Sequence, residues 1–160
     1  QSDGWVAILN EEIKCSTSVS NMSVQGATTF DGVEITEQFY KRHQAKLMVL
    51  ELGGNDALRG MNLQDTYQNL NTIIDKAKTA NTQIILISIE LPNNYGYSYN
   101  KSIKNMYNAL SKAHSIPQIH LNYPTDSKMV QNDRIHPSPK GHEEIAKTLL
   151  PPIEDVICNE

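Results

Sequence analysis

The chain has 160 residues, 39% of them hydrophobic and 20% charged, enough for one domain (residues 1–160) with a core of its own. A formal net charge of −4, with no basic run and no Lys/Arg stripe, argues against a nucleic-acid or anionic-membrane surface and leaves a small molecule as the expected partner. No apolar run approaches the roughly 20 residues that span a bilayer, and Gln1 does not open a signal peptide, so any targeting segment is expected to have been removed already.

In chain order, Trp5, Ile8, Leu9 and Ile13 recur at helical spacing behind Ser2 and Asp3, which predicts an amphipathic helix over 4–13. The run 17–24, with its β-branched residues, reads as a strand that ends at the glycine turn Gln25-Gly26-Ala27-Thr28-Thr29. A weaker helical pattern follows over 31–43, closing on Lys41-Arg42-His43, and then a strand over 47–52. Residues 57–61 read as a loop, 63–80 as a helix, and 83–91 as a strand covered on both faces, because its apolar run is nearly continuous. Pro92 to Gly96 break that strand; a helix over 98–114, a short strand over 118–122 and a last helix over 141–150, stopped by Pro151-Pro152, complete the pattern. Alternating strands and helices, without internal repeat or linker, predict one α/β domain with a parallel sheet and right-handed crossovers.

Cys15 and Cys158 lie near opposite ends, far from any metal-ligand spacing; two free thiols are the expected state, and a disulfide in an oxidising compartment is the alternative. The remaining spacings offer no HxxxH or CxxC set, so neither a metal nor another cofactor is expected.

Two stretches carry chemistry. Val49-Leu50-Glu51-Leu52-Gly53-Gly54-Asn55-Asp56 is an apolar run that stops abruptly at polar residues, and in open α/β sheets ligands sit beyond the carboxyl ends of the strands. The plain alternative is turn chemistry. Asp133-Arg134-Ile135-His136-Pro137 sets a carboxylate three residues before an imidazole in a loop, the pair a serine hydrolase uses as orienter and base. Here the alternative is a turn cap and an ordinary loop histidine. His43, His114, His120 and His142 sit at element ends, where solvated or capping roles are commoner.

Together, Val24-Gln25-Gly26-Ala27-Thr28, Glu51-Leu52-Gly53-Gly54-Asn55-Asp56-Ala57-Leu58-Arg59-Gly60, Leu91-Pro92-Asn93-Asn94-Tyr95-Gly96 and Asp133-Arg134-Ile135-His136-Pro137 follow the order and spacing of the SGNH (GDSL) hydrolases. The likeness covers essentially the whole chain and is nearest to the bacterial thioesterase I, lysophospholipase and arylesterase branch. It implies a flavodoxin-like three-layer α/β/α sandwich with a parallel sheet. It also implies hydrolysis of acyl esters, thioesters or lysophospholipids by a Ser-His-Asp mechanism, and a periplasmic or secreted location. By position it implies His136 as general base, Asp133 as its orienter, and Gly26 N–H with the Asn55 side-chain amide as oxyanion donors. Ala57, Leu58, Arg59, Leu91, Pro92 and Ile135 are implied to bind substrate.

One departure is large. The family begins with a strand ending in Gly-Asp-Ser-Leu, which supplies the nucleophile, and this sequence contains no such motif. Its nearest look-alike, Thr125-Asp126-Ser127-Lys128, sits in a loop without the preceding strand and glycine, and Ser127 is not taken as a nucleophile. The expectation is an N-terminally incomplete hydrolase, weak or inactive as given, whose sheet lacks an inner strand. A strand-exchanged homodimer would complete that sheet, and a non-catalytic acyl- or lipid-binding remnant of the fold is the alternative.

Overall fold

A computed structural model describes residues 4–121 and 128–159, apart from the side chain of Asn93. In chain order the elements are α1 (Trp5–Glu12), α2 (Thr29–Tyr40), β1 (Leu47–Leu50), α3 (Gly54–Leu58), α4 (Leu63–Thr79), β2 (Gln83–Ser88), a 3-10 turn (Asn93–Tyr95), α5 (Tyr97–His114), β3 (Gln118–His120) and α6 (Pro139–Ile157). The chain divides into two compact units, residues 22–120 and residues 1–21 with 121–160.

The unit of residues 22–120 is built on a parallel sheet of order β1-β2-β3, so the expected α/β class with a parallel sheet is the one observed. β2 is central, with Leu50 opposite Leu86 on one side and Ser88 opposite His120 on the other. Ile84, Ile85, Leu86 and Ile87 are all nearly fully buried, as a near-continuous apolar run demands of a strand covered on both faces. Ile84 and Leu86 share a core with Leu70, Ile73 and Ile74 of α4 and Ile103, Tyr107 and Leu110 of α5. Each such aliphatic side chain contributes about 1.5–3 kcal/mol on burial. The α4 residues involved recur at helical spacing, and Asn62 caps that helix by accepting from Gln64 N–H at 2.8 Å. α2 packs on α4, and a Cβ on Gly32 would overlap Leu52 and Ile73, so that glycine lets the helix approach closely.

In the other unit α1 packs on α6. The apolar stripe of α6 is Ile145, Ala146, Leu149 and Ile153, each at most 4% exposed. Ser138 caps α6 by accepting from Gly141 N–H at 3.1 Å, and Pro139 occupies the first helical turn, where a missing N–H does no harm.

Several expectations are corrected. Residues 17–24 form no strand: β-branched composition does not suffice without a ladder partner, the segment pairs with no strand of the sheet, and Val19, Met22 and Val24 stay exposed. The expected loop at 57–61 begins as the last turn of α3. β1 ends at Leu50 and β2 at Ser88, both short of the expected limits. α6 does not stop at Pro151-Pro152 but runs on to Ile157. A helix-interior proline costs about 3 kcal/mol, yet the buried stripe continues past both prolines to Ile153, and Lys14 N–H donates to Glu154 Oε1 at 3.0 Å. The cysteines are not free thiols: Cys15 and Cys158 form a disulfide, because the packing of α1 on α6 brings their Cα atoms to 5.6 Å. Residues 122 and 125–127, including Ser127, lie outside the described residues.

Candidate active site

The residues singled out in the sequence fall into the two units. Gly26, Asn55, Ala57, Leu58, Arg59, Leu91 and Pro92 belong to one, and Asp133, Ile135 and His136 to the other.

Asp133 and His136 sit in a closed loop. Val130 and Pro137 pair as an antiparallel bridge, and inside it Gln131 N–H donates to His136 O at 2.8 Å, with Arg134 N–H to Gln131 O at 2.9 Å. The turn carries Arg134 at φ 58°, a left-handed conformation that costs a non-glycine residue about 1 kcal/mol. Asp133 helps hold it there: Oδ1 accepts from Ile135 N–H at 2.9 Å and from His136 N–H at 3.1 Å. The other oxygen, Oδ2, lies 2.6 Å from His136 Nδ1. An ionised carboxylate only accepts, so Nδ1 carries a proton, and in the neutral ring it is Nε2 that holds the lone pair. The hydrogen bond from His136, joined by the two backbone N–H bonds, holds the Asp133 carboxyl down at about 2. Both side chains are exposed, and Ile135 between them is half-buried. The loop therefore presents an imidazole of defined tautomer that can accept a proton at Nε2, backed by a carboxylate that stays ionised.

The other group is organised around Gly26 and Asn55. Ala27 N–H donates to Val24 O at 3.1 Å, closing a turn in which Gly26 takes φ 76°, a conformation glycine adopts without penalty. Thr28 then caps α2 in a reciprocal box with Asp31, whose carboxyl is lowered by the Thr28 backbone N–H and then by the Thr28 hydroxyl. Asn55 lies in the first turn of α3 and donates from Nδ2 to Ala27 O at 2.8 Å. That commits one of its two amide hydrogens and leaves the second to meet another acceptor. Arg59 is exposed and donates from Nη2 to Gly26 O at 3.0 Å.

Behind Asn55 the chain is locked. Gly53 has φ 111°, and a Cβ there would lie 2.5 Å from the Tyr107 hydroxyl, which donates to Leu52 O at 2.7 Å. Burial, and after it the charges of Asp56 and Glu51, push the Tyr107 phenol far up, so this donor is always protonated. Tyr99 OH donates to Ala57 O at 3.1 Å. Ala57 and Leu91 are buried members of the core, 3% exposed each, and present no surface to a ligand; Leu58 and Pro92 are half-buried. The Asn100 side chain clamps both the N–H and the C=O of Leu91 at 3.1 Å. The residue that spacing missed is Asp56, 1% exposed and bonded to Thr29. Among the described residues no group of three His, Cys, Asp or Glu side chains could hold a metal, and no helix is long and apolar enough to cross a membrane.

A parallel α/β sheet, an Asp-His pair in a loop before the last helix, and a glycine turn held to an asparagine amide follow the pattern on which the resemblance to the SGNH hydrolases rests. The chain belongs to the GDSL-like Lipase/Acylhydrolase family, which it matches over residues 1–144. It is 33% identical to "Thioesterase 1/protease 1/lysophospholipase L1" of Escherichia coli (strain K12) over 99% of this chain and 78% of that protein. It is 30% identical to "Esterase TesA" of Pseudomonas aeruginosa over 98% of this chain and 81% of that one. Among solved structures it resembles a crystal structure of TesA with a TM-score of 0.92 at 28% identity, covering 98% and 90% of the two chains. It also resembles the psychrotrophic esterase EstA of Pseudoalteromonas sp., in a structure inhibited by monoethylphosphonate, with a TM-score of 0.89 at 25% identity and coverage of 99% and 90%.

Proposed function

We propose that these residues are the base, orienter and oxyanion donors of an acyl hydrolase acting on small carboxylic esters, thioesters or lysophospholipids. The observation that carries the reading is the 2.6 Å bond between His136 Nδ1 and Asp133 Oδ2, reinforced by two backbone donors to the same carboxylate. In the Ser-His-Asp mechanism a serine Oγ attacks the acyl carbon while His136 Nε2 takes its proton. The charge that develops on the carbonyl oxygen meets Gly26 N–H and Asn55 Nδ2–H, and His136 then protonates the leaving alcohol or thiol. Loss of one such donor costs about 10²–10³ in turnover. The printed names of the relatives, thioesterase, lysophospholipase and esterase, support this substrate range. Leu58, Pro92, Ile135 and the exposed Arg59 supply the substrate contacts, with Ala57 and Leu91 backing them from the core. The Cys15–Cys158 disulfide supports a periplasmic or secreted location, since cytosolic thiols are kept reduced.

A second reading is a non-catalytic acyl- or lipid-binding chain. The test compares this polypeptide with a form in which a strand ending in Gly-Asp-Ser-Leu precedes Gln1, using p-nitrophenyl butyrate. The polypeptide as given is expected to turn over little or none. The extended form is expected to be active and to lose roughly 10³-fold or more with His136→Ala. Activity indifferent to His136, or none in either form, sinks the hydrolase reading. A strand-exchanged homodimer would complete the sheet at β1; sedimentation of the 160 residues as a dimer supports that arrangement, and a monomer removes it.

A further inference from the structure

Asp56 follows the oxyanion amide directly in sequence, and its side chain is turned the other way, into the interior, 1% exposed. A buried carboxylate is costly unless its oxygens are met by donors. Here Thr29 N–H reaches Oδ2 at 2.9 Å and Oδ1 at 3.2 Å, and the Thr29 hydroxyl donates to Oδ1 at 2.5 Å. Thr66 Oγ1, 3.4 Å from Oδ1, divides its one proton between that oxygen and Asn62 O at 3.2 Å. Asn69 Nδ2 completes the set by donating to Thr29 Oγ1 at 3.1 Å, which fixes the rotamer of the threonine.

These bonds form one clamp with those of the neighbouring residues. Within little more than a helical turn, Arg59 holds Gly26 O, Asn55 holds Ala27 O, and Asp56 holds Thr29. The turn that carries one proposed oxyanion donor is thus bound at three points to the short helix that carries the other. Of the three grips only that of Asp56 is wholly buried. An asparagine at this position could keep its carbonyl oxygen on the Thr29 N–H only by turning its N–H₂ to the Thr29 and Thr66 hydroxyls, which would then accept instead of donate, so the charge-assisted bonds to a carboxylate would be lost.

We propose that Asp56 is a positioning residue: through Thr29 its carboxylate sets the separation between Gly26 N–H and the Asn55 amide. What those donors do rests on the hydrolase reading above; how they are held is tested without turnover, so the two stand or fall separately. The experiment is amide hydrogen exchange with proton–nitrogen spectra of the 160-residue chain, comparing Asp56→Asn, Thr29→Val and Thr29→Ser. In Asp56→Asn, exchange at the Ala27 and Thr29 amides is expected to quicken about tenfold or more, the worth of a hydrogen bond to a charged group. The Asn55 side-chain resonances are expected to shift, while the Ile85 and Leu86 amides of β2 keep their rates. Thr29→Val is expected to give the same pattern more weakly, and Thr29→Ser, which keeps the hydroxyl, to restore the wild-type spectrum. If Asp56→Asn does not fold, the threonine pair decides. Unchanged exchange at residues 27–29, an equal rise at β2, or a serine variant that behaves like the valine one would overturn the proposal.

Discussion

Asp133 takes up a proton only in strong acid because three donors favour its charged form. Its folded value, about 2, lies below the ordinary 3.8, so the pair steadies the loop at every pH above the ordinary value and ceases to do so as the pH falls through about 2. A carboxyl titration followed by carbon spectra is expected to place Asp133 near that value. His136→Ala, which removes the foremost cause, is expected to raise it toward the ordinary one; an unchanged midpoint would contradict the 2.6 Å bond. This pair was legible in the sequence because both partners lie within one turn, where spacing alone sets their separation. Asp56 was not, since its partner Thr29 is 27 residues away and Asn-Asp after two glycines satisfies every rule for a turn. The signal to follow was a second carboxylate beside Asn55, with the paired threonines Thr28-Thr29 able to meet it.

Helix α6 shows how an element can be read correctly in kind and wrongly in extent. Its start was visible in outline, but not why Gly141 must be glycine: a Cβ there would overlap the Met129 carbonyl oxygen, which crosses just above the first turn. Gly141→Ala is expected to cost about 1–3 kcal/mol by forcing that crossing apart, read as a lower urea midpoint. The same strain should broaden the resonances of the 129–137 loop, because Ser138 N–H donates to Met129 O at 2.9 Å. A variant with an unaltered midpoint would show that the backbone there yields freely. The far end of α6 is not legible from Pro151-Pro152 because proline preference is a local cost, whereas the burial that outweighs it extends along the stripe from Ile145 to Ile153. Residues 17–24 mark the opposite error. Side-chain preference there favours a strand, but a strand is made by its neighbour, and preference cannot supply one.

At the scale of the whole molecule, the family match over residues 1–144 runs through both compact units, and fold class was legible from the alternation of apolar periods alone. The cysteine pairing was not, because two positions 143 residues apart carry no geometry until α1 and α6 are known to pack together. Closing so long a loop removes unfolded-chain entropy, and Cys15→Ser with Cys158→Ser is expected to lower stability by about 2–5 kcal/mol in denaturant unfolding. An equal midpoint with and without reductant would show that the packing of α1 on α6 suffices by itself.

That cross-link also decides how the molecule bears load. A pull applied at the two ends of these 160 residues is carried through the sulfur bridge, and the sheet, the glycine turn and the Asp-His loop all lie on the slack side of it. Stretched in oxidising solution, the chain should lengthen only by the residues outside the bridge, 1–14 and 159–160, with α1 among them; once reduced, it can be drawn out from end to end.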